Sequence, residues 1–141
     1  MHRIERTLLV TLIIISSMII GGCGGSSQSG LVPATVQDIS AAQLQTLMDG
    51  PDELVILDVR SAAEYEAVHI PGSINIPLDE LSDRLDELDS RVPVACICSA
   101  GYRSSQAAEI LAEADFSTVL NLEGGLRDWN GDWEPECPVC S

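Results

Sequence analysis

Lysine is missing from this chain. All seven cationic side chains are arginines, set against 22 acidic residues, for a formal net charge of -15. So acidic a polymer repels phosphate backbones, and the clustered basic residues that nucleic-acid binding requires are not there. Aromatics are scarce: one Phe, two Tyr and two Trp. The interior must therefore be aliphatic. Five cysteines in 141 residues are too few for a disulfide-built scaffold, and a chain of this length buries a core without staples. The 45% hydrophobic content argues against global disorder. A long apolar run is also lacking. The stretch Leu8 to Ile20 is broken by Thr11, Ser16 and Ser17, and a membrane span needs roughly 20 apolar residues.

That short run is nevertheless the first thing present. Arg3 and Arg6 precede it, and Glu5 leaves the N-terminal region net positive. A basic start, a short apolar centre and small residues after it make a secretory signal. Ile20-Gly21-Gly22-Cys23 resembles the lipobox of prokaryotic lipoproteins. The resemblance implies a signal peptide over 1–22, cleavage before Cys23 and lipidation of Cys23, which would hold the protein on the extracytoplasmic side of a membrane. Residues 23–31, rich in Gly and Ser, read as a flexible tether. The mature chain would keep five Arg against 21 acidic residues, a net charge of -16, with His69 as its sole histidine.

Residues 32–133 carry the globular pattern, and short β-type runs alternate with helical ones. This favours an α/β fold on a mostly parallel sheet. Ser40 is an N-cap for a helix over Ala41 to Met48, stopped by Gly50-Pro51. Leu54 to Leu57 is a continuous apolar run, as in a strand buried on both faces. Ser61 caps a short helix over Ala62 to Ala67. Ser73 to Ile76 reads as a short strand. Leu78, Leu81, Leu85 and Leu88 recur at 3, 4 and 3, predicting an amphipathic helix with acids on its wet face. Val92 to Cys98 is a strand, Ser104 to Ala114 a helix and Thr118 to Leu122 a strand. A last helical turn opens at Gly124-Gly125 and runs through Trp129.

Chemistry concentrates in Cys98-Ser99-Ala100-Gly101-Tyr102-Arg103-Ser104. The segment follows a buried strand and opens a helix. Ligands of open α/β sheets bind there, beyond the carboxyl end of a strand and at a helix N-terminus. Backbone amides in such a loop converge on an anion, Gly101 lets the backbone curl, and Arg103 adds a planar donor fork. A free thiol with a pKa near 8.5 is only about 3% thiolate at neutral pH. Making it a hundredfold stronger acid takes about 2.7 kcal/mol, within reach of several amides and an arginine. The thiolate is the nucleophile.

This loop resembles the C-x-x-G-x-R-S active-site loop of rhodanese-type sulfurtransferases. Leu57-Asp58-Val59-Arg60, His69-Ile70-Pro71-Gly72-Ser73-Ile74-Asn75-Ile76-Pro77 and Gly124-Gly125-Leu126-Arg127-Asp128-Trp129 are similar to further segments of that family, in the family's order. Val68 and Ser73 depart from its usual Gly and Ala, and no Lys flanks the loop. The resemblance implies a five-stranded, mostly parallel sheet flanked by helices on both faces. It implies that Cys98 takes the outer sulfur of a donor such as thiosulfate, becomes a persulfide, and yields it to cyanide or a thiol. Ser99, Ala100, Gly101, Tyr102, Arg103 and Ser104 would hold that outer sulfur and the donor anion. The alternatives are a persulfide carrier that hands sulfur to a protein partner without turnover, and phosphatase or arsenate-reductase chemistry. The six residues from Cys98 to Arg103 disfavour the last, because rhodanese-like phosphatases use a loop one residue longer.

Other residues carry two readings each. Asp58 is a catalytic candidate or, as Asp commonly does, a brace for nearby backbone. Arg60 reaches the pocket rim or pairs with Asp58 or Glu64. His69 is a candidate base or a structural hydrogen-bonding residue. Cys96 behaves as a small hydrophobe. In the tail 134–141, Cys137 and Cys140 have the spacing of a local disulfide, a sulfur-accepting pair or half a zinc site. Neither a metal nor another cofactor is expected.

Overall fold

The computed structural model describes residues 35–135. Five strands form one sheet: β1 (Val36–Ile39), β2 (Val55–Asp58), β3 (Ile74–Asn75), β4 (Val94–Ile97) and β5 (Val119–Leu122). Their order is β1-β5-β4-β2-β3, and every pairing is parallel. The helices are α1 (Ala41–Met48), α2 (Ala62–Ala67) and α3 (Tyr102–Glu113), with 3-10 turns at Leu81–Asp83, Leu85–Glu87 and Gly125–Asp128.

The helix starts follow from capping chemistry. Ser40 accepts from the Gln43 amide while the Gln43 side chain returns to the Ser40 amide. Ser61 and Glu64 repeat the arrangement on α2. Each reciprocal pair satisfies two orphan donors of a first helical turn.

Strand β4 is buried along its whole length, and its side chains alternate between two cores. On one face Val94, Cys96 and Cys98 pack with Ala107, Ala108 and Leu111 of α3 and with Leu81 and Leu88. On the other, Ala95 and Ile97 pack with Leu44 of α1, Ile70, Leu126 and Trp129. The aliphatic composition is thus used twice, once on each side of the sheet.

One expectation is corrected and one strand is new. The stretch with leucines at 3, 4 and 3 is no α-helix. It is a pair of 3-10 turns held by i to i+3 bonds, Arg84 N–H to Leu81 and Leu88 N–H to Leu85, with Arg84 between them at φ -122. Asp83 faces Asp79, Asp86 and Glu87 at helical spacing, and such like-charge pairs together with the low helix propensity of Asp disfavour a continuous helix. Leu81 and Leu88 still reach the core. Strand β1 was not foreseen. Its residues Val36-Gln37-Asp38-Ile39 expose the middle two, and β5 is its one strand partner among the described residues, helped by Asn121 Nδ2 donating to Asp38 at 2.7 Å.

Beyond β2 the chain turns to β3 on one side, and beyond β4 it turns through α3 to β5 on the other. The carboxyl ends of β2 and β4 therefore flank a reversal of strand order, where open α/β sheets bind ligands.

Candidate active site

Cys98 is the first residue after β4 and lies at this reversal. The chain then curls over its sulfur. Gly101 adopts φ +90 as the N-cap of α3, a conformation that costs residues with a Cβ. The Gly101 amide donates to Cys98 Sγ at 3.2 Å, and Ser104 Oγ stands 3.4 Å from the same atom and 3.1 Å from Gly101 O, so its one proton turns to the sulfur when the thiol ionises. Burial works against a charged sulfur here. The Ser104 hydroxyl and the amides of Ser104, Ala100 and Gly101 outweigh it, so the thiol lies below the ordinary thiol value. The positive end of α3 acts in the same direction.

Cys98 is 1% exposed. The sulfur sits at the floor of the loop, with the amides gathered around it. Cys96, two residues back, is wholly buried among apolar side chains, and burial followed by the nearby Cys98 sulfur pushes its thiol up to about 12. Of two cysteines on one strand face, one is set up to ionise and the other is not.

Tyr102 lies on the outer surface, 75% exposed. Arg103 does not present a free charge. It forms a two-pronged pair with Glu64, both N···O distances 2.9 Å, and also donates to Ser99 Oγ at 3.0 Å. Glu64 is the site residue that sequence reasoning missed. Its carboxylate caps α2 through Ser61, takes both guanidinium prongs and accepts from Ser99 Oγ at 3.3 Å. Arg103 is the main reason its pKa falls well below the carboxylate range. The capping box Ser61-x-x-Glu64 is a readable signal for the helix start. Nothing local signals the link to Arg103, 39 residues on.

A second clamp comes from the turn Gly125–Asp128. The Leu126 amide donates to Cys98 O at 2.8 Å and the Arg127 amide to Ser99 O at 3.3 Å. Gly125 has φ +64, and a Cβ there would lie 2.6 Å from Ala100 N. The close approach of turn and loop therefore requires glycine.

Arg60 is corrected. It does not line the rim but is buried against Asp58, with Nη2 2.7 Å from Asp58 Oδ2 and a further bond to Val68 O at 2.7 Å. Removing either partner of so buried a pair would leave the other charge uncompensated. Asp58 braces the strand end, also accepting the Arg60 amide at 3.0 Å. His69 is held by the backbone. Its Nδ1–H donates to Tyr65 O at 2.8 Å, its ring stacks on Tyr65, and its main chain bridges to Glu134. Among the described residues, no group of three or more His, Cys, Asp or Glu side chains is placed to hold a metal ion. Cys23, Cys137 and Cys140, together with the expected signal and tether, lie outside the described residues.

Comparison with known proteins agrees with this geometry. The family model described as Rhodanese-like domain matches residues 40–132. YrkF of Bacillus subtilis is 37% identical over 110 residues, covering 78% of this chain and 60% of that protein. YtwF of the same organism is 32% identical over 101 residues, covering 72% of this chain and 97% of that one. The solution structure of the rhodanese-like domain of the Anabaena protein Alr3790 superposes with a TM-score of 0.63 at 31% identity, covering 72% of this chain and 78% of that one. Fold, loop and matched sequence lead to one statement: the chain belongs to the rhodanese-like domain family.

Proposed function

We propose that this protein is a sulfurtransferase that carries sulfane sulfur on Cys98 as a persulfide. The observation that carries the reading is the convergence of the loop amides and the Ser104 hydroxyl on Cys98 Sγ. The names of the relatives point the same way, since YrkF is named for sulfur carriage and YtwF for sulfur transfer.

With thiosulfate as donor, the Cys98 thiolate attacks the outer sulfur. The S–S bond of the donor breaks, and sulfite leaves with the electron pair. The new outer sulfur carries negative charge, which the loop amides stabilise. Cyanide or a thiolate then attacks that sulfur; the persulfide S–S bond breaks, the Cys98 thiolate is regenerated as the leaving group, and the product is thiocyanate or a new persulfide. No metal or other cofactor enters either step. Cys98 serves as nucleophile, Ser104 and the amides from Ala100 onward as anion donors, and Arg103 as the brace that holds Ser99 in place.

The test is an intact mass of the protein before and after thiosulfate. One added sulfur atom, lost on addition of cyanide and absent from Cys98→Ser, is the expected result. Persulfide formation in Cys98→Ser would overturn the assignment. Hydrolysis of an aryl phosphate without any sulfur adduct would favour the phosphatase alternative. A stable adduct that cyanide does not discharge would favour the carrier alternative. The same measurement on protein recovered from membranes reads the lipid expected on Cys23.

A further inference from the structure

Four of the five arginines among the described residues are committed to carboxylates. Arg60 pairs with Asp58 at 2.7 Å, Arg84 with Glu80 and Glu87 at 2.8 and 2.6 Å, Arg91 with Asp89 at 2.6 Å, and Arg103 with Glu64 at 2.9 Å. Arg127 alone has no carboxylate within 4.0 Å among the described residues.

Its location gives this meaning. Arg127 belongs to the turn that grips the cysteine loop, and its own amide is bonded to Ser99 O at 3.3 Å. Its side chain is exposed. The neighbouring acid does not claim it, because the Asp128 carboxylate is folded into the space that a Cβ on Gly124 would fill. The loop's other guanidinium is spent on Glu64. An anionic donor approaching a chain of net charge -15 therefore meets one uncommitted positive group beside the nucleophile loop. Opposite charge near a site raises the local concentration of its ligand and steers its approach.

We propose that Arg127 is the donor-binding residue of this site, a positioning cation for oxyanion sulfur donors of the thiosulfate and thiosulfonate class. The inference rests on the Cys98 persulfide reading. In the transfer, Cys98 thiolate displaces sulfite or sulfinate from the outer sulfur, and the leaving oxyanion departs alongside Arg127. The guanidinium neither gives nor takes a proton. It acts on binding, because donor and departing group carry comparable charge.

The test compares full-length wild type, Arg127→Ala and Arg127→Lys with two donors of different charge, the thiosulfate dianion and the methanethiosulfonate monoanion. At a separation of about 6 Å in water, loss of one cation should raise KM about tenfold for the dianion and about threefold for the monoanion. The kcat should stay within about twofold, since binding alone is removed. Arg127→Lys should recover most of the loss, and added salt should shrink the difference. An unchanged KM for both donors would overturn the proposal, as would a fall in kcat at constant KM or an equal effect on the two donors. Intact mass separates the two levels. If wild type gains no sulfur on Cys98, the underlying reading fails; if all three proteins gain it and KM does not move, only the role of Arg127 fails.

Discussion

Glu64 offers the sharpest test of how the loop is held. Its carboxylate does two jobs at once, closing the α2 cap through Ser61 and fixing Arg103 and Ser99 of the loop. Glu64→Gln keeps the cap, since Gln serves in a capping box, and removes the charge together with one of the two acceptor oxygens that face Arg103. The two side chains are 38% and 35% exposed, so solvent screens the pair and its loss should cost about 0.5–1 kcal/mol. Glu64→Ala removes the cap as well, adding about 1 kcal/mol. On a domain of this size each kcal/mol lowers Tm by roughly 4–8 °C. The pH dependence has a definite sign. Arg103 holds the folded-state pKa of Glu64 below its ordinary value of 4.5, so between those two values the unfolded chain binds more protons. The Glu64 contribution is complete above about pH 5 and declines as pH falls below that. Urea unfolding followed by fluorescence of the buried Trp129 at pH 7 and pH 4 measures it. The gap between wild type and Glu64→Gln should be full at pH 7 and smaller at pH 4. The reasoning is refuted if the gap is constant with pH, or if Gln and Ala are equally costly.

Ser104→Ala removes the hydroxyl 3.4 Å from Cys98 Sγ, so the thiol pKa should rise and alkylation by iodoacetamide at pH 7 should slow, with the wild-type rate recovered at higher pH. Gly125→Ala places a methyl 2.6 Å from Ala100 N on a backbone with φ +64; it should cost about 1–3 kcal/mol in strain and reduce sulfur loading on Cys98 by intact mass, whereas unchanged loading and stability would show that the turn does not clamp the loop.

The parts of the fold that were legible are those written in short range. Ser40 and Ser61 announce α1 and α2, whose observed spans match the expected ones. The apolar runs of β2, β4 and β5 announce buried strands to within two residues. The Leu78 to Leu88 segment failed for an instructive reason: its apolar period was genuine, but crowded acids changed the backbone that carries it. Strand β1 lacked a signal because its order comes from β5, more than 80 residues downstream. The site divides in the same way. The cysteine loop could be read from one continuous stretch on a strand-to-helix junction. Its two clamps, Glu64 and the turn at Gly125, are long-range contacts, and a list of residue types does not reveal that an arginine's charge has already been spent.

The near-closure of Cys98 has a consequence for timing. A cysteine that is 1% exposed offers almost nothing to a bulky partner. Adding one more sulfur extends the reactive atom by about 2 Å. Under the proposed persulfide chemistry, the bare protein is thus shielded from large thiols and disulfides that would trap it, while the sulfur-loaded form holds its cargo out to them. Whether a partner can engage is decided by whether there is anything to collect.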